Sequence, residues 1–364
     1  MTVSLLYGLH NSIMHTTAFS EPHSYTSIRV VWAISILASY STSILSLVFT
    51  VTRNRNHMRN MLSIISCVDS KLLHKHLKQS VYMQQRSHIL RQLMVMLILH
   101  ISVSVLCELA FYSGTWMCFV YSVSQNLATV TNTVVILQYV NIVLIVKRRY
   151  QYIRHLLSEA AFTDDFCTST HMYAGHPVIL DSDALFLSSG YEVTDRDACN
   201  VCPIQVLQII YSDLYDVLHA NSKTYGILIL LNIMAILTNT VQSMYFAVIL
   251  IKEALMNDAD FYVCLKGATL LSASFFDLLI FIWLTICCQS TADEVQDTIV
   301  CIQKLLLRPN RPFWSTEDLK RLLSQLKNLK VEFSVCGFFS LNLQLLSGSV
   351  GVIITYIFVL NQFN

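Results

Sequence analysis

The chain alternates long uncharged apolar runs with charged stretches, and the runs have the length of bilayer crossings. The longest closes the sequence: residues 333–364 contain no Asp, Glu, Lys or Arg. A helix needs ~20 residues to cross a bilayer core at ~1.5 Å of rise per residue, so this run is too long for one straight crossing. Ser347-Gly348-Ser349, followed by Gly351, is the place for a break, because glycine tolerates a bend and small side chains let helices approach closely. The pattern predicts a short helix, a hinge at Gly348 and Gly351, and a final membrane helix over 350–363.

Earlier runs fall into the same rhythm. Residues 30–51 are free of charge and are followed at once by Arg53, Arg55 and Arg59. The block from 93 to 146 is interrupted only by Glu108; a split near Ser113-Gly114 gives two antiparallel spans, 93–112 and 117–146, the second closed by Lys147-Arg148-Arg149. Two further runs cover 226–251 and 267–289, and the last span covers 336–363, making six clear spans. Polar segments lie between them at 53–91, 147–223 and 291–330. The middle one has an acidic centre with Gly175, Pro177 and Gly190, which reads as a loop. Its C-terminal flank places Val206, Ile209, Ile210, Leu214 and Val217 at helical spacing, so an amphipathic helix leads into the next span. Residues 1–28 carry one acid, Glu21, and no Lys or Arg. Their apolar part, broken by His10, Asn11 and His15, is too short to cross and lacks the basic start of a secretory signal.

Composition agrees with this pattern: 54% hydrophobic and 13% charged residues describe an all-α polytopic membrane protein of one membrane domain. A net charge of +1 carries no footprint for nucleic acid, and none is expected as a partner. Charge placement gives orientation. The three polar segments hold 21 of the 24 Lys and Arg residues, and basic loops mark the cytoplasmic side. The C-terminus is therefore expected outside. Eleven cysteines are scattered through apolar segments and cytoplasmic loops, which predicts reduced thiols; Cys118 and Cys264, near the outer surface, are the one pair placed for a bridge. Cys287-Cys288, at an inner span edge, is a candidate for acylation. Cys199-Asn200-Val201-Cys202 is a lone C-x-x-C with no second pair at zinc spacing. With no phosphate loop, nucleophile elbow or paired carboxylates, no enzyme activity, catalytic residue, metal or cofactor is expected.

The chain ends Thr355-Tyr356-Ile357-Phe358-Val359-Leu360-Asn361-Gln362-Phe363-Asn364. The signature residues Thr355, Tyr356, Gln362 and Phe363 resemble, at matching spacing, the motif that closes the last span of insect gustatory receptors, with Asn361 where that family usually has an apolar side chain. Those receptors belong to the insect chemoreceptor superfamily and have seven spans, a cytoplasmic N-terminus and an outside C-terminus. The resemblance implies that residues 30–364 are spans two to seven, the first being missing or reduced to a remnant at 1–20, so that the chain is a short or truncated form. It further implies a tastant-gated, non-selective cation channel of the plasma membrane of gustatory neurons. The channel would assemble as a homotetramer, or as a heterotetramer with other gustatory receptors, with the last helix lining the pore. The G-protein-coupled seven-helix receptor is the alternative, but the last span has no proline, no tail follows it, and the basic loops place its end outside.

Residues follow from that expectation. Gly351, Thr355, Phe358 or Val359, and Gln362 share a helix face suited to a pore. Gln362 and Phe363 are the gate candidates, and Thr355 and Tyr356 are expected to brace the helix. Intramembrane polar residues are costly and often functional, so the candidates for binding a small-molecule tastant are Glu108, Trp116, Asn239, Gln242, Tyr245, Phe276 and Asp277. Asp277 is also a candidate for a structural hydrogen bond. Ile357, directly after Thr-Tyr, disfavours the sugar-sensing group, whose members tend to carry an acid there. Membrane lipid is the remaining expected partner.

Overall fold

A computed structural model describes residues 26–49, 55–72, 75–111, 116–167, 204–256, 261–307 and 315–362. The expectation of a reduced first span at 1–20, the acidic loop centre, the C-x-x-C pair and Phe363 lie outside these residues. The described elements are helices α1 (Thr26–Phe49), α2 (Arg55–Leu72), α3 (Lys75–Phe111), α4 (Trp116–Cys167), α5 (Ile204–Met256), α6 (Phe261–Leu307) and α7 (Thr316–Asn328), strands β1 (Ser334–Val335) and β2 (Phe339–Ser340), and helix α8 (Leu343–Gln362). In lipid every backbone N–H and C=O must find its partner within the segment, and the helix meets that requirement. Among the described residues four helices are long and apolar enough to cross a membrane, and two shorter apolar helical stretches are Ser39–Phe49 and Leu343–Val359.

Helices α4, α5 and α6 run for 52, 53 and 47 residues, far beyond the ~20 needed for a crossing. Much of the polar segments 147–223 and 291–330 is therefore helical extension. No Gly or Pro occurs from Lys147 to Cys167, from Ile204 to Tyr225, or from Ser290 to Leu307 to stop propagation. Pro309 stands two residues after the end of α6.

The chain divides into two compact units, and α4, α5 and α6 contribute residues to both. The larger comprises Met1–Lys147, Asp213–Asp293 and Val331–Asn364. Its core holds the fully buried rings of Tyr40, Tyr139, Tyr225 and Phe281. Tyr139 and Tyr225 meet edge to face at 6.2 Å, the geometry that the ring quadrupoles favour. Asn221 donates through Nδ2 to the carbonyl of Tyr139 at 3.3 Å, tying α5 to α4. Near the polar end, Tyr82 donates to the buried Asp69 at 2.6 Å, and Lys71 pairs with Asp213 at 3.3 Å. Cys264 is a free thiol, so the bridge to Cys118 is not formed. Cys287 and Cys288 are buried in helix packing, which removes them as acylation sites.

The smaller unit comprises Arg148–Ser212 and Glu294–Lys330. Arg154 bonds the carboxylates of Glu294 and Asp297, each at 2.9 Å. Helix α7 follows from local rules: Ser315 caps it by accepting from the Asp318 amide at 3.2 Å, Glu317 and Asp318 complement the positive end of the dipole, and Leu319, Leu322 and Leu326 form its buried stripe. It docks on the start of α5, where Gln325 donates to the carbonyl of Gln208 at 3.1 Å and Tyr211 donates to that of Leu329 at 3.3 Å.

The long charge-free run is broken at its beginning, not at Gly348. Strands β1 and β2 pair antiparallel across a tight turn in which Cys336 (φ 51°) and Gly337 (φ 76°) both take positive φ, and the Phe338 amide closes it on the Val335 carbonyl at 3.0 Å. Two successive positive φ values define the hairpin turn whose twist suits antiparallel strands. Asn342 then caps α8 by accepting from the Leu345 amide at 2.9 Å. The helix runs unbroken through Gly348 and Gly351 to Gln362. A glycine costs a helix only about 1 kcal/mol, whereas the hairpin and cap supply a complete alternative set of hydrogen bonds at the break.

Candidate functional site: a polar cavity and the closing helix

Four helices of the larger unit converge on one polar cavity. It is lined by Ser39 of α1, by Thr129, Asn132, Thr133 and Ile136 of α4, by Asn232, Ala235, Ile236 and Asn239 of α5, and by Asp277 and Ile280 of α6. On α4 and α5 the lining residues recur at three-, four- and seven-residue spacing, so each helix offers one polar stripe inside an otherwise apolar run. The cavity measures about 20 Å³, room for about one or two water molecules. In this conformation it does not admit an organic ligand of ordinary size.

A hydrogen-bond network holds its walls. Ser39 and the Asn239 amide bond each other at 3.2–3.3 Å. Ser43 donates to the carbonyl of Ser39 at 2.8 Å and also reaches the carbonyl of Ala128 and Asn132 Oδ1, at 3.0 and 3.1 Å, locking α1 to α4. Tyr40 and Ser124 add a 2.6 Å contact between the same helices. Behind the cavity, the hydroxyl of Thr133 gives its proton to the Thr129 carbonyl at 2.9 Å. His100 Nε2, at 3.0 Å from the same oxygen, is therefore the donor. The other face of the imidazole problem is solved by Phe276, whose ring meets it edge to face at 4.8 Å.

Two of the seven ligand candidates, Asn239 and Asp277, line this cavity. Phe276 is buried one step behind it, against His100. Tyr245 is buried beside Phe246, with ring centroids at 6.1 Å, and Gln242 is half-buried on the same helix; neither lines the cavity. The side chains of Glu108 and Trp116 lie outside the described residues. Asp277 makes no hydrogen bond or ion pair among the described residues, so the structural bond considered for it is absent. The residues that sequence reasoning missed are Ser39, Thr129, Asn132, Thr133 and Asn232, together with His100. Their signal was available as polar side chains repeated at helical spacing within spans.

The closing helix α8 has two opposed faces. At about 100° per residue, Asn342, Leu346, Ser349, Ile353 and Ile357 form one stripe, and these are its buried or half-buried positions. Gln344, Gly348, Gly351, Thr355, Phe358 and Gln362 fall roughly 180° away, and all are exposed. A Cβ built on Gly348 or Gly351 would meet nothing within 4 Å. Val359 lies at the edge of this face and is also exposed. Thr355 spends its hydroxyl on the carbonyl of Gly351 at 2.8 Å, and Tyr356 is 58% exposed. Neither residue braces α8 against its own chain, because the bracing stripe lies on the opposite side, at Ser349 and Ile353.

A family model of the 7tm chemosensory receptor matches residues 1–364. The chain belongs to the 7tm chemosensory receptor family. Among solved structures, the insect olfactory receptor OR5 from Machilis hrabei, in complex with eugenol, shares the fold with a TM-score of 0.59 at 10% identity, over 99% of this chain and 88% of that one. No curated protein matches the chain. The receptor is thus an all-α, multi-pass membrane chemoreceptor with an insect chemoreceptor-like fold, and its family is one of receptors, not of enzymes. The resemblance first drawn from Thr355, Tyr356, Gln362 and Phe363 agrees with this at the level of family and fold.

Proposed function

We propose that this receptor is a subunit of a tastant-gated, non-selective cation channel, with copies of α8 around a central water path. The carrying observation is the arrangement of α8. Its apolar stripe turns into its own chain, while its glycines, Thr355 and Gln362 turn away from it. Polar groups facing lipid are costly and rare, so a helix that spends its apolar side on packing and presents its polar side outward is suited to a wet, shared surface. Closed cyclic symmetry makes one patch serve every copy, and four copies, identical or drawn from related gustatory receptors, are the assembly that the resemblance implies. Phe358 and Val359 supply apolar rings that exclude water; Gln362, with Phe363 beyond it, supplies the polar ring where ions regain hydration.

The taste assignment is supported by Thr355-Tyr356 and Gln362-Phe363, the C-terminus outside by the basic segments, and the setting is the plasma membrane of a gustatory neuron. A small-molecule tastant that binds a wider cavity around Asn239 and Asp277 shifts the population toward the open arrangement. Gln242, Tyr245 and Phe276 stand near enough to join the widened pocket, with Glu108 and Trp116 as outer candidates. Gly348 and Gly351 are the places where α8 can bend during opening. Recording from cells that express the chain alone and in pairs, with G-protein signalling blocked, tests the proposal. Ligand-evoked conductance under the block is expected. Responses that vanish with the block would leave the G-protein reading in its place. A tag after Asn364 should stain on intact cells; staining only after permeabilisation overturns the orientation.

A further inference from the structure

The cavity among α1, α4, α5 and α6 has a chemical bias beyond being polar: its donors are spent elsewhere. Thr129 gives its hydroxyl proton to the Gln125 carbonyl at 3.0 Å, Thr133 gives its own to Thr129, and Asn232 Nδ2 donates to the Leu228 carbonyl at 2.8 Å. Asn132 Nδ2 points at the Ser39 carbonyl at 3.5 Å. What remains toward the cavity is oxygen lone pairs: the hydroxyls of Thr129 and Thr133, the amide oxygens of Asn132 and Asn232, and the Asp277 carboxylate. The nearest ionisable side chain able to carry positive charge, His100, is turned to Thr133 and Phe276. No cationic side chain of the described residues reaches Asp277. A carboxylate inside a membrane protein needs a partner for its charge, and this chain surrounds it with acceptors only.

We propose that this cavity binds a small monovalent cation on Asp277, with the neutral oxygens of Asn232, Asn132, Thr129 and Thr133 completing its shell. One carboxylate among neutral oxygens balances a single positive charge, whereas calcium sites gather more carboxylates. The volume, about 20 Å³, takes a sodium-sized ion or the head of a primary ammonium group, and nothing larger in this conformation. Inorganic cation and ammonium ligand share this chemistry. The proposal deepens the ligand-site reading and rests on it for the cavity being a binding site, but gating does not enter its test.

The full receptor in nanodiscs is melted in N-methyl-D-glucamine chloride, in sodium chloride and in ethylammonium chloride at equal ionic strength. A saturable rise of the unfolding midpoint is expected, on the order of 2 °C at tenfold the half-saturating concentration, and it should be lost in Asp277→Asn. The salt that produces the rise identifies the source, inorganic ion or ammonium head. A midpoint indifferent to both salts means that Asp277 is neutralised by a proton and overturns the proposal, as does a rise that survives in Asp277→Asn. Should Asp277→Asn fail to fold, Asn232→Ala serves instead: it should weaken half-saturation by about tenfold, and unchanged half-saturation overturns the site. Failure here leaves the channel test untouched, because that test reads current.

Discussion

The interior helices and α8 both carry polar residues through apolar runs, and they treat them in opposite ways. In the interior, Ser39, Ser43, Asn132 and Asn239 bond one another across helices, some of them 200 residues apart in the chain. On α8 the polar and small residues bond only along their own helix, as Thr355 does with Gly351, or face outward. The same residue types thus do two jobs. Where they satisfy one another they fix the packing of a receptor; where they face away they prepare a surface that one chain alone does not complete.

Breaking the apolar side of α8 should have the largest effect. Ile353, 4% exposed, anchors the stripe, and Ile353→Asp places a charge in the packed face at a cost of roughly 2.5–3.5 kcal/mol on insertion scales. Surface biotinylation should find little or no receptor at the plasma membrane. Near-normal surface levels would mean that the stripe does not hold α8. Next comes the interior network: Asn132→Ala leaves Ser43 without its amide partner and should cost about 1–3 kcal/mol, read as a lower thermal midpoint of the purified receptor. An unchanged midpoint would remove the contrast between bonded and outward polar residues.

The polar side of α8 should respond in function instead. Gln362→Ala is expected to change the relative permeability of cations, read from reversal potentials, while leaving the thermal midpoint within about 0.5 kcal/mol of the parent, as for other surface substitutions. A destabilised protein with normal permeation would invert the reading of this face. The smallest effect is expected at Gln242, half-buried on α5 but outside the cavity lining. Gln242→Ala should shift ligand potency modestly without altering permeation, and an altered reversal potential would mean that gate and pocket have been misplaced.

Much of the fold was legible because a bilayer is a severe solvent. Runs without charge, basic residues at their ends and the motif over Thr355 to Phe363 were enough to indicate a polytopic helical chemoreceptor. Asn239 and Asp277 were found by the cost of polarity inside a span. The break at Gly348 was misplaced because a glycine is only a weak helix breaker, while Cys336, a residue with no turn preference, carries the positive φ that makes the hairpin. The extension of α4, α5 and α6 beyond the spans was underestimated because charge ends a membrane segment without ending a helix.

From residue order alone came the solvent in which the protein lives and the secondary structure it must adopt there, since both follow from charge, apolar length and backbone satisfaction along one segment. Tertiary structure alone decided which polar groups satisfy one another, that Asp277 meets oxygens without donors, and which side of α8 is left for something outside its own chain. Those outcomes depend on helix rotation and on partners distant in sequence, and a shift of one residue along a helix, about 100°, would turn each of them elsewhere.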